Sequence, residues 1–421
     1  MAAAPVDPNA LRALWRAGGD RPLAVAVSGG GDSLALLALL RQASPHQSLF
    51  ALIVDHAVQS GSAAVAASAA LRAQSLGAQP VIRRLSWAGE AATDQASARR
   101  GRYRALAEAA KDVGAVVIAV AHTEDDQAET TLIKYGRTGL WGQAGMRAWS
   151  PCPVWPEGQG LVLARPLLTL GRARLRAWAR AQGLVWHEDQ ANANPAFARA
   201  RARAILQADP GLSARLAAHG ARAAAAAARR NAAALAWAAA TARFDDRQGA
   251  VLLAGLPQSA IELRGFAALV GAAAGRPAAA GPHGAARLVA ALKAGARAQT
   301  LGGAIVRRNR DGFMIGRDPG ALLGRSGVPP QAPQALLPGV PGIVDRRLWL
   351  QTHADGYEAA VTPSAQWALR RNGRWISLDA AKDVSARWLT AAHALHVLGP
   401  SDPFADCDAF KGVQLALGSL S

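Results

Sequence analysis

The first 135 residues alternate short apolar runs with amphipathic stretches, and this alternation limits the possible folds more than any other feature. The apolar runs are typical of buried strands and span Leu23–Val27, Leu49–Val54, Val81–Leu85 and Ala115–Ala121. The stretches between and after them have helical patterns and span Ser33–Arg41, Ser62–Leu76, Gln95–Lys111 and Asp125–Lys134. Strict alternation of strands and helices predicts an α/β fold with a doubly wound parallel sheet. Ligands in such a fold bind beyond the carboxyl ends of the strands.

The rest of the chain differs in composition and predicts two further parts. Arg215–Arg243 is dominated by alanine, contains no helix breaker and predicts one long helix. Val328–Pro341 is rich in proline, which is typical of a linker, and strands are predicted at Gly342–Gln351 and Gly373–Leu378. We therefore expect an α/β domain over residues 1–212, an α-helical middle domain over residues 213–327, and a small mixed C-terminal module over residues 328–421.

The charge balance indicates a polyanionic partner. The 421-residue chain has 47 basic and 29 acidic side chains, which gives a formal net charge of +18. Half of this excess falls within Arg165–Arg230, and a nucleic acid is a better match for it than an acidic membrane surface. An arginine bias of the whole genome is the alternative explanation. Because the chain shows neither a secretion signal nor an apolar run of about 20 residues, we expect a soluble cytoplasmic protein without a membrane partner.

Cysteine usage argues against several classes of site. The chain has only Cys152 and Cys407, which lie far apart and form no CxxC pair. A disulfide framework, a zinc ribbon and a locally spaced iron–sulfur site are therefore disfavoured.

A glycine-rich run separates the first predicted strand from the first predicted helix. Residues 28–33 read Ser-Gly-Gly-Gly-Asp-Ser. The three glycines allow a tight turn and bring backbone N–H groups close to an anion, and the dipole of the following helix favours negative charge there. The two serines add hydroxyl groups, and Asp32 could hold Mg²⁺ or a phosphate-bound water. The run is neither a Walker A loop nor a GxGxxG fingerprint, and a plain capped turn is the alternative.

Further polar residues follow the second and fourth predicted strands. Asp55 and His56 come directly after the second strand, where their side chains would overhang a nucleotide. His122 ends the fourth strand, and Asp126 and Glu129 are three positions apart on one face of the next helix. Two carboxylates in this position could bind a cationic group of a ligand or take a proton from it. The alternatives are a structural strand-end histidine and an acidic helix N-terminus.

Arginines accompany these groups on two helical segments. Arg99 and Arg102 lie with Tyr103 on the helix before the fourth strand, and Arg199 and Arg203 are four positions apart, so that they share a helical face. Contact with the phosphates of ATP or of an RNA backbone is the functional interpretation. A solvated basic face is the alternative.

These segments, taken in order, resemble a known family. Residues 28–33 match the SGGxDS signature of the N-type ATP pyrophosphatases, or PP-loop superfamily, which splits ATP between the α and β phosphates. The segments around Asp55, Arg99 and His122 resemble the DH, ARxxRY and AHxxDDQxET segments of the tRNA(Ile)-lysidine synthetase family. The resemblance covers about residues 20–205 and continues through Gly139–Met146, Arg165–Leu168, Glu188–Asn194 and the arginines 199, 201 and 203.

The resemblance implies an adenine nucleotide alpha hydrolase-like fold, ATP and Mg²⁺ as cofactors, and L-lysine and a tRNA(Ile) with the anticodon CAU as partners. The implied catalytic residues are Asp32, His122 and Asp126. The implied ATP-binding residues are Ser28, Gly29, Gly30, Gly31, Asp32, Ser33, Asp55 and His56, with Asp32 also as the Mg²⁺ ligand. The implied lysine-binding residues are Asp126 and Glu129. The implied phosphate or tRNA contacts are Arg99, Arg102, Arg199 and Arg203.

The sequence departs from the family pattern at two places. Tyr135–Gly139 stands where the family has an RGSG-like run, and Thr123 stands where the family has a second histidine. Another PP-loop tRNA modification enzyme, such as a 2-thiocytidine synthetase, is the nearest alternative, although such enzymes need cysteines. A non-catalytic RNA-binding protein with a degenerate nucleotide fold is an alternative of a different class. The oligomeric state is left open.

Overall fold

The structure, a computed structural model, describes residues 3–19, 21–57, 61–86, 95–135, 145–186, 198–245, 247–276, 279–325, 327 and 329–398. Its contacts divide the chain into two compact units with a boundary between Arg229 and Arg230. The three-domain division at residues 212/213 and 327/328 stays a prediction.

The first unit contains one sheet with helices around it. Its strands are β1 (Leu23–Ala26), β2 (Leu49–Asp55), β3 (Gln79–Arg84), β4 (Val117–Ala119), β5 (Trp149–Pro151) and β6 (Val162–Ala164). Its helices are α1 (Pro8–Gly18), α2 (Gly31–Ala43), α3 (Ser62–Ser75), α4 (Gln95–Asp112), α5 (Glu124–Tyr135), α6 (Arg172–Ala181), α7 (Ala198–Ala208) and the start of α8 (Pro210–Thr241). The predicted strands and helices are all present, with ends that differ by a few residues.

The sheet is parallel apart from one edge strand. The strand order is β3-β2-β1-β4-β6-β5, and only β5 runs antiparallel to its neighbour. Alternate residues of each strand enter different cores: Leu23 and Val25 pack in the core that includes α1 and α2, whereas Ala24 packs in the core that includes α4. Both faces of the sheet are therefore covered, which explains the continuous apolar runs and confirms the predicted doubly wound α/β fold.

The order of the strands creates a crevice. The chain moves from β1 through β2 to β3 on one side, and then crosses to β4 on the other side of β1. The crevice beyond the carboxyl ends of β1 and β4 is therefore a topological switch point, the usual ligand position in open α/β sheets. Ser28–Gly30 and Ala121–Thr123 are the two loops at this point.

The second unit includes a five-stranded antiparallel sheet, which corrects the prediction of an α-helical middle domain. Its strands, in the order β7-β8-β11-β10-β9, are β7 (Ala242–Asp245), β8 (Ala250–Leu253), β9 (Ala298–Leu301), β10 (Ala304–Asn309) and β11 (Gly312–Arg317). Helices α9 (Ala260–Ala273) and α10 (Pro282–Lys293) share its core. The period of two in β10 is typical of a strand, because Ala304 and Val306 are buried while Ile305 between them is only partly buried.

The remainder of the second unit contains short strands and two helices. These elements are α11 (Pro319–Leu323), β12 (Gln334–Ala335), β13 (Gly342–Val344), β14 (Leu348–Thr352), β15 (Tyr357–Val361), β16 (Trp367–Arg371), β17 (Arg374–Ile376), β18 (Val384–Trp388) and α12 (Thr390–Leu398). The strand predicted at Gly342–Gln351 is a hairpin, because Asp345 and Arg346 adopt φ of 50° and 57° and turn the chain. Among the described residues, no helix is long and apolar enough to cross a membrane.

Candidate active site

The glycine run forms a tight loop between β1 and α2. Gly29 has φ of 82°, a left-handed conformation that glycine adopts without strain. The Ser33 hydroxyl donates to the carbonyl of Gly30 at 2.9 Å and accepts from the backbone N–H of Ser28 at 3.2 Å. A Cβ on Gly31 would lie 2.9 Å from the indole of Trp186, so that a larger residue would force the two apart. The loop is therefore held by its own serines and by close packing.

A cavity of about 650 Å³ lies at the switch point and joins this loop to the other polar segments. The sequence-predicted residues that line it are Ser28, Gly30, Gly31, Asp32, Ser33, Asp55, His56, Arg102, His122, Asp126, Arg199 and Arg203. Gly29, Arg99 and Glu129 lie nearby but are not among the lining residues. Arg172 and Arg176 also line the cavity, although no motif in the sequence marks them as site residues.

Asp55 and His56 occupy the β2 side of the cavity. The Asp55 carboxylate accepts a hydrogen bond from the backbone N–H of Ala57 at 2.9 Å and lies 3.7 Å from Arg84. A hydrogen bond from Ser62 is the main reason that the pKa of Asp55 is lowered. Burial and the charge of Arg102 lower the pKa of His56. The pair thus presents a charged carboxylate that shapes the turn and a neutral imidazole that faces the cavity.

Arg172 connects three carboxylates of the site. Its Nε lies 2.9 Å from Oδ2 of Asp32, its Nη2 lies 2.8 Å from Oδ1 of Asp126, and its Nη1 lies 3.5 Å from Oε1 of Glu129. The N-terminus of α6 holds Arg172 in place, because its backbone N–H donates to Asp125 at 2.7 Å. Burial disfavours the Arg172 charge, but Asp126 and Asp32 outweigh it and raise the pKa of the guanidinium.

Two further arginines complete this carboxylate–arginine cluster. Arg176, one turn after Arg172 on α6, places Nε 3.1 Å from Oδ1 of Asp32. Arg203 on α7 places Nε 2.8 Å from Oε1 of Glu129. The cluster therefore balances three acidic side chains with three basic ones. The i, i+4 spacing of Arg172 and Arg176 is visible in the sequence. The carboxylates that they contact lie on other helices more than 40 residues away along the chain, so the sequence does not reveal these contacts.

Thr123 and Arg172 together set the state of Asp126. The backbone N–H and the hydroxyl of Thr123 both donate to Oδ2 of Asp126, at 2.8 and 3.0 Å. Burial raises the pKa of Asp126, but Arg172, His122 and the Thr123 hydrogen bonds more than offset this and lower it. The residue that replaces the second histidine of the family pattern thus lies directly before α5 and orients Asp126.

A second group of cations surrounds Tyr103. The guanidinium carbons of Arg99 and Arg102 lie 4.9 and 5.1 Å from the centre of its ring, and Arg99 donates to its hydroxyl at 3.5 Å. Burial raises the pKa of Tyr103, but Arg102, Arg99 and Arg165 lower it overall. Burial also lowers the pKa of Arg99 and of Arg165. Such a group of partly desolvated cations is suited to an anion.

His122 ends β4 and is buried beside Arg165. The Nε of Arg165 donates to Nδ1 of His122 at 3.2 Å, and its Nη1 donates to the carbonyl of Arg147 and the hydroxyl of Ser150, each at 2.9 Å. Burial, followed by the charge of Arg165, lowers the pKa of His122 to about 3. His122 is therefore neutral at physiological pH.

The described residues do not form a magnesium site by themselves. They include no group of three or more His, Cys, Asp or Glu side chains that could hold a metal ion. Both carboxylate oxygens of Asp32 already contact arginines. Because Mg²⁺ usually binds through one or two carboxylates together with substrate phosphates, it fits this cavity as part of the substrate MgATP.

Some predicted features lie outside the described residues. They are Gly136–Gly139, most of the segment Gly139–Met146, Glu188–Asn194 and Cys407. Met146 is described: its backbone N–H donates to Oε1 of Gln127 at 2.6 Å, and its carbonyl accepts from Nε2 of Gln127 at 2.9 Å. Gln127, which was not among the predicted site residues, thus holds the backbone of Met146 against α5.

Comparison with known proteins shows what the first part of the chain is similar to. Residues 7–209 match the family model of the PP-loop domain. The chain is also similar to tRNA(Ile)-lysidine synthases. It is 45% identical to that of Hyphomonas neptunium over 190 residues, which are 44% of this chain and 51% of the relative. It is 43% identical to the tRNA(Ile)-lysidine synthase of Caulobacter vibrioides over 203 residues, which are 46% of this chain and 47% of the relative.

These similarities confirm the resemblance that the motifs indicate. The chain spans about half the length of the curated relatives it matches. Among solved structures, a U34-tRNA thiolase from Methanococcus maripaludis with a [4Fe-4S] cluster is similar at a TM-score of 0.39 and 16% identity, over 50% of this chain and 75% of that chain. A structural likeness at that level does not distinguish one reaction from another.

Proposed function

We propose that the protein ligates L-lysine to C2 of the wobble cytidine of a tRNA(Ile) with the anticodon CAU, with ATP as the energy source. The products are lysidine, AMP and diphosphate. One observation carries the proposal: a single cavity joins the glycine loop to His122, Asp126 and arginines of α4, α6 and α7. The similarity to tRNA(Ile)-lysidine synthases supports the same reaction.

In the first step, the loop Ser28–Ser33 holds the phosphates of MgATP. The C2 oxygen of the cytidine attacks the α-phosphorus, the bond from that phosphorus to the bridging oxygen breaks, and diphosphate leaves. Negative charge spreads over phosphoryl oxygens during this step, so that fixed cations and backbone N–H groups lower its barrier. Arg102 and Arg199 line the cavity and are suited to this task. Mg²⁺ supplies further positive charge at the phosphates.

In the second step, the ε-amine of lysine attacks C2 of the adenylated base, and the C2–oxygen bond breaks to release AMP. The amine must lose a proton before it can attack. Asp126 and Glu129 are the carboxylates assigned to the lysine in this proposal, and Asp126, which lines the cavity, accepts its proton. Their contacts with Arg172 and Arg203 fix both carboxylates on one face of α5.

Sulfur transfer is the alternative reaction on the same scaffold, and the one described cysteine does not support it. Cys152 is fully buried, and burial raises the pKa of its thiol to about 12. A sulfur carrier needs an accessible thiolate, since the thiolate is the nucleophile. Cys152 is thus suited to packing in the core that includes α4.

The proposal is tested by diphosphate release from ATP with the purified full chain, a CAU-anticodon tRNA(Ile), and radiolabelled lysine. We expect turnover that requires the tRNA, with label incorporated into the RNA only when ATP is present. Turnover that requires the tRNA but incorporates no lysine would assign the chain to another acceptor reaction.

Asp32→Ala is the matched variant for the catalytic interpretation. We expect it to abolish ATP turnover while the affinity for tRNA stays within a few-fold of wild type, since Asp32 lies at the loop. Full activity in Asp32→Ala would contradict the assignment of the loop, and would favour a protein whose nucleotide fold has no catalytic role.

A further inference from the structure

The contact between Arg165 and His122 determines which nitrogen of the imidazole carries the proton. An arginine guanidinium has N–H donors and no acceptor, and it stays protonated in proteins. The Nε–H of Arg165 therefore donates to Nδ1 of His122 at 3.2 Å, and Nδ1 uses its lone pair as the acceptor. A neutral imidazole with Nδ1 as acceptor carries its hydrogen on Nε2. Nε2 is then a donor and has no lone pair available for a proton.

Arg165 is held firmly enough to impose this tautomer. It is 7% exposed, and it also donates to the carbonyl of Arg147 and the hydroxyl of Ser150, both at 2.9 Å, and hydrogen-bonds to Tyr103. Arg147 and Ser150 lie next to or within β5, which pairs with β6, the strand that Arg165 directly follows. The side chain thus cannot turn away from His122 without breaking these further hydrogen bonds.

The surrounding charges oppose the doubly protonated form of His122. Arg165, Arg102 and Arg199 act against a second proton, whereas Asp126 acts in favour of it. Because Asp126 is already paired with Arg172 at 2.8 Å, the charges of the three arginines outweigh its effect on the pKa of His122. His122 is also only 8% exposed, which further disfavours a charged ring.

We propose that His122 acts as a neutral hydrogen-bond donor through Nε2–H, and that Arg165 is the positioning residue that fixes its tautomer. His122 lines the cavity shared with the loop Ser28–Ser33, so the natural acceptor is a phosphoryl oxygen that gains charge in the adenylation step. This part rests on the proposed function. A role for His122 as the base that deprotonates the lysine amine is excluded by the same geometry, which leaves that role to a carboxylate.

The tautomer is tested by NMR, independently of any activity. Full-length protein labelled with ¹⁵N at histidine is examined by long-range ¹H–¹⁵N correlation, and His122→Gln identifies the His122 signals. We expect the pattern of an Nε2–H tautomer that does not change from pH 8 to pH 5. A ring that titrates near pH 6.5, or one protonated at Nδ1, would overturn the proposal.

Arg165→Met tests the positioning role, with Arg310→Met as the matched control at an exposed turn of the second unit. Without the Arg165 donor and charge, we expect His122 to populate both tautomers and to titrate at a higher pH than in wild type. Arg165→Lys, which keeps a donor and a charge, should restore the wild-type pattern at least in part. An unchanged His122 spectrum in folded Arg165→Met would contradict the role of Arg165.

Kinetics test the donor role. A glutamine amide can place an N–H near the position of Nε2, whereas the shorter asparagine cannot. We therefore expect His122→Gln to retain at least ten-fold more kcat for diphosphate release than His122→Asn, with a similar KM for ATP. Equal losses in both variants would contradict donation from Nε2. If no substrate supports turnover but the NMR result holds, the proposed function fails while the assigned tautomer stands.

Discussion

At the scale of single residues, Arg172 matters most because it links carboxylates with different proposed tasks. It contacts Asp32 of the nucleotide loop as well as Asp126 and Glu129, which we assign to lysine. A guanidinium can do this because its donors form a rigid planar fork, which lysine lacks. The sequence shows the carboxylates and their spacing, but it does not show that one arginine from a later helix reaches all three.

Removing Arg172 should cost stability in a pH-dependent way. The pKa of Asp126 is lowered in the folded protein, because Arg172 and Thr123 outweigh the burial that raises it. Asp126 therefore contributes stability above its ordinary pKa of 3.8, and this contribution is lost as the pH falls through the lower folded value. We expect Arg172→Met to lower the free energy of unfolding by about 3 kcal/mol at pH 7. The difference from wild type should shrink below pH 4.

Urea denaturation of Arg172→Met and wild type at pH 7, 5 and 3.5 measures this dependence, with Arg174→Met as the control because Arg174 is an exposed residue of the same helix. A difference that is constant over this range would show that the loss arises from packing and not from the charge of Asp126.

Arg176 should compete with Mg²⁺ for Asp32. Its Nε lies 3.1 Å from one carboxylate oxygen of Asp32, the only carboxylate in the glycine loop. If that oxygen contacts the metal of MgATP, then Arg176→Met should lower the Mg²⁺ concentration needed for half-maximal ATP turnover several-fold. A Mg²⁺ titration at fixed ATP measures this, again with Arg174→Met as the control. An unchanged Mg²⁺ requirement with weaker ATP binding would indicate that Arg176 binds phosphate instead.

At the scale of elements, the sequence predicted the strands of the first sheet that lie in long apolar runs. It missed the short strands and the strands in alanine-rich segments. Strands β1, β2 and β4 were predictable because both of their faces are buried and their apolar runs are continuous, whereas the edge strand β3 is only partly buried. Strands β5 and β6 have three residues each, and unlike the three-residue β4 they do not lie in a seven-residue apolar run such as Ala115–Ala121. Strands β7 to β11 lie among alanine-rich segments, where small side chains favour helix locally while the strand pairing is decided by partners far along the chain.

The contact between α5 and α8 depends on one glycine. A Cβ on Gly220 would lie 2.2 Å from Oγ1 of Thr131 on α5, and the carbonyl of Gly220 accepts from the backbone N–H of Gly145 at 3.1 Å. We expect Gly220→Ala to push the helices apart, with a loss of about 1–3 kcal/mol of stability. Because α5 carries Asp126 and Glu129, the KM for lysine should rise as well.

Thr131→Ala provides the test of this explanation, since it removes the atom that the new Cβ would meet. The double variant Thr131→Ala/Gly220→Ala should recover most of the stability lost in Gly220→Ala, as measured by a double-mutant cycle in urea. Additive losses in the cycle would show that the cost of Gly220→Ala comes from elsewhere.

At the scale of the whole molecule, the positive charge is distributed differently from the sequence expectation. The segment Arg165–Arg230 is not a uniform basic surface: Arg165 is buried, and Arg172, Arg176 and Arg203 contact carboxylates within the site. Three other members of the segment form a regular row. Arg215, Arg222 and Arg229 are exposed and recur every seven residues on α8, so they lie along one side of the helix. We call them the α8 arginine row.

The α8 arginine row is the part of the first unit best suited to the RNA backbone, and its contribution can be separated from that of the site by salt dependence. Each phosphate that a cation neutralises adds about 0.7–0.9 to the slope of log affinity against log salt. Replacement of all three arginines by glutamine should therefore reduce the slope for tRNA by about 2–3, while ATP binding without tRNA stays unchanged.

Filter binding between 50 and 300 mM KCl measures the slope, with Arg310→Gln as the control. Since Arg215 also lies 3.7 Å from Asp209, its share should be the smallest of the three. An unchanged slope in the triple variant would move the RNA contact to another surface and leave the reaction at the cavity unaffected.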